Sequence, residues 1–78
     1  MAISSAQCRA GRGLIGWSQQ HLAKAAGVGL STVRGLETGR HMPIDANMRA
    51  IKAALEAAGV AFTNGDEPGV KLVRRSLQ

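Results

Sequence analysis

The chain has 78 residues, 45% of them hydrophobic but only 3% aromatic, and its formal net charge is +5. That length builds one small domain, with a core light enough to supply roughly 3–5 kcal/mol of net stability. No apolar run approaches the ~20 residues of a membrane span, and the start, MAISSAQCRAGRG, lacks the apolar stretch of a secretory signal, so a soluble, cytoplasmic protein is expected.

Cys8 is the one cysteine, which excludes an intramolecular disulfide and a cysteine-based metal site. His21 and His41 are too far apart, and too short of carboxylate company, for a metal motif. A catalytic pairing of Cys8 with either histidine is the sharper reading. A small buried apolar residue is the plainer one, and it is preferred. Neither metal nor cofactor is expected.

The charge is unevenly placed. Residues 1–40 hold five cations, Arg9, Arg12, Lys24, Arg34 and Arg40, against Glu37 alone, a net +4. Residues 41–65 balance Arg49 and Lys52 against Asp45 and Glu56. A positive front half fits a polyanionic partner better than a general need for solubility.

Gly16, Gly27, Gly39 and Gly59 each follow a segment of helical pattern and suit the left-handed residue that closes a helix. The first helix is predicted from about Ser5, as N-cap, to Ile15, with Cys8, Gly11 and Ile15 on one face. Gly11 and Gly13 inside it each cost about 1 kcal/mol relative to alanine. Ser18 caps a second helix, Gln19 to Ala26, whose buried stripe is Leu22, Ala23 and Ala26. A third runs from about Leu30 to Thr38, with Val33 and Leu36 inward. Pro43 blocks its continuation, and Asp45 caps a fourth helix, Ala46 to Ala58, striped by Met48, Ile51, Leu55 and Ala58.

After Gly59 the period changes to two. Val60 and Phe62 alternate with Ala61 and Thr63, then Val70 and Leu72 with Lys71 and Val73, around the turn formers Asn64 to Gly69. The pattern predicts a β-hairpin over 60–73, which must pack on a helix or pair with another chain because two isolated strands are marginal in water. The tail from Ser76 is expected to fray. The fold class is therefore mainly α, four helices and a C-terminal hairpin in a single domain.

Two short helices joined by a glycine turn, the second polar and basic, are how a small protein presents a helix to the DNA major groove. The segment WSQQHLAKAAGVGLSTVRGLETGR resembles the phage repressor/Cro-type helix-turn-helix family, also called the xenobiotic-response-element family. The resemblance rests on Trp17, Ser18-Gln19, Leu22-Ala23, Gly27-Val28, Val33 and Glu37-Thr38-Gly39, and it extends over residues 5–58 in helix count and spacing. It implies a lambda-repressor-like fold in which Ala23, Gly27, Val28 and Val33 set the angle of the third helix. It also implies an ion pair between Arg12 and Glu37. The plainer alternative makes Arg12 a free phosphate contact and Glu37 a solvated charge.

Base contacts come from the exposed N-terminal part of a recognition helix. Here those candidates are Leu30, Ser31, Thr32, Arg34 and Gly35. Arg34 suits guanine O6 and N7, with a phosphate contact or a solvated charge as its alternatives. Candidate phosphate contacts are Gln19, Gln20, Thr38, Arg40 and His41, of which Gln19 is otherwise a surface helix former. Gly29 stands where the family commonly has a Ser or Thr cap, and Gly35 where it often has a long side chain. The expected function is a transcriptional regulator that binds an inverted-repeat operator in double-stranded DNA as a homodimer, with no membrane partner and no enzymatic activity. The alternative is the antitoxin of a toxin–antitoxin pair, with Leu14 or Leu30 anchoring the small protein partner.

Overall fold

The computed structural model describes residues 2–63 and 67–73. The order is α1 (Ser5–Ile15), α2 (Gln19–Ala26), α3 (Leu30–Thr38), α4 (Asp45–Ala57), β1 (Val60–Thr63) and β2 (Gly69–Leu72). Among the described residues no helix is long and apolar enough to cross a membrane. The turn residues 64–66 and the tail from Ser76 lie outside the described residues.

The cap of α1 is Ser4 rather than Ser5. Ser4 Oγ accepts from the Gln7 N–H at 3.0 Å, and Gln7 Oε1 accepts from the Ser4 N–H at 2.9 Å, a reciprocal capping box. Ile3 and Cys8 occupy the positions that flank such a box with a hydrophobic contact, and both are buried in the core cluster. Ser18 caps α2 through the His21 N–H at 3.0 Å. Gly27 takes φ 71, a conformation that costs a residue with a β-carbon about 1–2 kcal/mol, and this turn delivers the chain into α3. No side chain caps α3 at Gly29.

The fourth helix begins one residue earlier than the sequence suggests. Ile44 is its N-cap, without a side-chain hydrogen bond. Asp45 sits inside the first turn, where a carboxylate favours the helix dipole, and pairs with Arg49 one turn on at 2.6 Å. The helix closes at Ala58, which keeps right-handed geometry, and the left-handed excursion falls on Gly59 at φ 106.

Leu22, Val33, Leu36, Ile51 and Leu55 form the centre of a core shared by all four helices, with Val60 joining it from the hairpin. The strands pair antiparallel in the register Val60↔Leu72, Ala61↔Lys71, Phe62↔Val70 and Thr63↔Gly69. They pack on α1 and α4, and the reason is Gly11. A β-carbon there would lie 3.3 Å from Val60 Cγ1 and 3.6 Å from both Leu55 Cδ1 and Phe62 Cε1. The helix therefore accepts the propensity cost of glycine to let the hairpin approach.

Gln7 ties the far end of the hairpin down. Its side-chain amide donates to the carbonyls of Thr63 and Gly69, each at 3.1 Å, which is how a buried amide is satisfied in this fold.

Candidate nucleic-acid interface

Glu37 lies in the last turn of α3, at 3% exposure, and a lone carboxylate there would be costly to bury. It is not alone. Arg12 reaches it from α1 with Nε to Oε2 at 2.7 Å and Nη2 to Oε1 at 2.7 Å. The third guanidinium nitrogen, Nη1, donates to the Trp17 carbonyl at 2.9 Å. Gln19 Nε2 donates to Oε1 at 3.0 Å, and the Cys8 thiol to Oε2 at 3.2 Å. Arg9 donates to the Glu37 backbone carbonyl, one of the orphan carbonyls of a helix end. Side chains of α1 and α2 thus converge on the last turn of α3.

Burial alone raises the Glu37 pKa. The hydrogen bonds from Arg12, then Gln19 and Cys8, outweigh it and hold the carboxyl below its ordinary value. Burial pushes the Cys8 thiol up to about 12, with the hydrogen bond to Glu37 adding to the rise. Cys8 is therefore a neutral donor inside the fold, with neither histidine among its partners. Hydrogen bonding to Glu37 raises the Arg12 pKa.

This clamp has an electrostatic consequence. The carboxylate of α3 is neutralised inside the fold, and its outer face shows no negative charge. Ser31, Arg34 and Thr38 are exposed on that face, opposite buried Val33 and Leu36. Lys24 and Arg40 are exposed nearby in sequence, and among the described residues they and Arg34 make no ion pair.

Leu30 is half-buried and packs on the core, and Thr32 is half-buried. Gln19 is half-buried with its amide held by Glu37, whereas Gln20 is exposed. The Thr38 hydroxyl donates back to the carbonyls of Arg34 at 2.9 Å and Gly35 at 3.3 Å, so its proton serves the helix and not an acceptor in solvent. His21 is exposed and stacks on Trp17, with ring centroids 4.3 Å apart. His41 is exposed, and its backbone lies against Gly35.

The roles of Gln7 and Arg9, and the hydrogen bond from the Cys8 thiol to Glu37, are placements that the residue pattern did not single out. The S-x-x-Q spacing of Ser4 and Gln7 carries a signal for the first of them. Arg9 shares a helix face with Arg12 by its i, i+3 spacing, but nothing local shows that it reaches a backbone carbonyl of α3.

None of the curated proteins compared matches the chain. The family model described as helix-turn-helix matches residues 9–60, from within α1 to the first residue of β1. The chain belongs to that family, of the repressor/Cro or xenobiotic-response-element type, whose members are DNA-binding regulators.

Proposed function

We propose that the protein is a sequence-specific transcriptional regulator that binds an inverted-repeat operator as a homodimer, with α3 in the major groove. The observation that carries this reading is the outer face of α3. Among the described residues it offers an arginine outside any ion pair and the exposed Ser31 hydroxyl, while its one carboxylate is turned inward and neutralised. Arg34 is the base-reading arginine, Ser31 its hydroxyl companion, and Lys24, Gln20 and Arg40 contact phosphates at the margins. A single reading helix spans few base pairs, so a second copy supplies the rest of the site, about 34 Å away on the same DNA face. Leu72 and Val73, 55% and 46% exposed on the hairpin, support that element as the dimer contact, with α4 the alternative. A cytoplasmic site of action accompanies this reading.

Arg34→Ala tests it. The variant is expected to lose more affinity for the selected operator than for random duplex. Equal losses on both make Arg34 a phosphate contact and leave the reading without its carrier.

A second reading, a protein-partner module such as an antitoxin, is favoured by exposed Leu14 on α1, at 42%. Co-purification of a small toxin with the native protein supports it.

A further inference from the structure

Ser31, Arg34, Gly35 and Thr38 recur at i, i+3, i+4 and i+7 along α3 and so share one face, the face turned to solvent. Glycine leaves a gap in the middle of that face. The chain beyond α3 fills it. After Gly39, at φ 72, the backbone folds back, and the N–H groups of Arg40 and His41 both donate to the Gly35 carbonyl at 3.1 Å.

A β-carbon added at residue 35 would lie 3.1 Å from His41 Cβ and 3.4 Å from the His41 carbonyl oxygen. A side chain at 35 would therefore press on this path of the chain, which would have to give by a few tenths of an ångström. His41 places its Cβ 3.1 Å from where a β-carbon of residue 35 would stand, in the gap on the stripe between Arg34 and Thr38. It is exposed, and among the described residues no hydrogen bond or ion pair holds its imidazole.

We propose that His41 reads a base edge in place of the side chain that Gly35 lacks, its imidazole N–H donating to a purine N7 or a guanine O6. The reading surface is then composite, Ser31 and Arg34 from the helix and His41 from the segment that follows it. Glycine at 35 leaves the room for that placement. The assignment rests on the DNA-binding function proposed above, and it moves His41 from the phosphate backbone to the bases. A rim position would suit a phosphate contact. The middle of the stripe, where His41 lies against Gly35, suits a base.

The test is selection of bound duplexes from a random library by the full-length wild type, His41→Ala and Gly35→Ala, each checked for folding by thermal melting. The wild type is expected to show one position per half-site, adjacent to the Arg34 position, with a purine preference of about fivefold or more. In His41→Ala that preference collapses while the others persist. Gly35→Ala keeps the imidazole but shifts it by a few tenths of an ångström, and weakens the same preference. If His41→Ala weakens all sequences equally with every preference intact, His41 is a phosphate contact and the proposal is overturned. If the wild type enriches no sequence, the DNA-reading function itself fails, and the base assignment falls with it.

Discussion

Arg12 and Glu37 are 25 residues apart in sequence, and their side chains are joined by two hydrogen bonds of 2.7 Å. The carboxylate side chain is 2% exposed and the guanidinium 20%, so the pair is largely withdrawn from water. It fastens α1 to the end of α3 and removes the one negative charge that would otherwise oppose phosphate on that helix.

Removing either partner strands the other as a buried charge. Arg12→Ala and Glu37→Ala are each expected to cost about 3–5 kcal/mol, comparable to the whole stability of a domain of this size. Urea denaturation checks this. The double variant should cost clearly less than the sum of the two, because the second substitution removes a charge already orphaned by the first.

Acid should act on the same pair. The folded-state pKa of Glu37 is depressed, with burial opposing and the hydrogen bonds of Arg12, Gln19 and Cys8 prevailing. Its stabilisation is therefore fully present above the unfolded value of about 4.3, and is lost as pH falls from there through the folded value. The urea midpoint is expected to drop on going from about pH 5 to about pH 3. In Glu37→Gln that part of the slope should disappear. An equal acid slope in the variant contradicts the assignment.

Cys8 is fully buried, and burial with the Glu37 hydrogen bond raises its pKa to about 12. Thiolate is the reactive form, so the native protein at about pH 8 should resist alkylation, with labelling limited by unfolding. The sign at high pH is the reverse of that for Glu37. The raised pKa contributes stability below the unfolded thiol value of about 8.5, and that contribution fades as pH rises toward the folded value. Rapid modification of native protein at neutral pH excludes the Cys8–Glu37 contact.

The helices were legible because their punctuation is local. Ser18 and the glycines at 16, 27 and 39 act within a turn of themselves, and the apolar stripes of α2 to α4 need only the 3.6-residue period. The bounds of α1 agree with the sequence, but its cap is Ser4 and not Ser5: two serines stand together, and only the box closed by Gln7 distinguishes them. Asp45 resembled a cap but lies within the helix, paired with Arg49. What stayed hidden depends on packing between distant segments. Gln7 on the hairpin carbonyls, Arg9 on the Glu37 carbonyl and His41 on Gly35 are set by how elements meet, which no local pattern encodes. Of the site, the shared face of Ser31, Arg34 and Thr38 could be read from spacing, whereas the commitment of the Gln19 amide to Glu37 could not.

The two glycines inside α1 separate helix propensity from packing. Gly13 is exposed, and a β-carbon there meets nothing within 4 Å. Gly13→Ala is expected to stabilise by about 0.5–1 kcal/mol, a rise of about 4–8 °C in melting temperature per kcal/mol for a domain of this size. At Gly11 the same change meets Val60 Cγ1 at 3.3 Å, so Gly11→Ala should stabilise less. The bulkier Gly11→Val should cost about 1–3 kcal/mol by overpacking against the hairpin. Equal gains from alanine at both positions contradict the close packing of α1 on β1.

Sequence reading by α3 as one half of a symmetric pair is the property proposed for this protein. The most direct measurement is selection of bound duplexes from a random library by the wild-type protein, followed by sequencing. An enriched inverted repeat is expected, with half-site centres separated by about one helical turn of DNA, roughly 34 Å. Retention of DNA without an enriched sequence contradicts it.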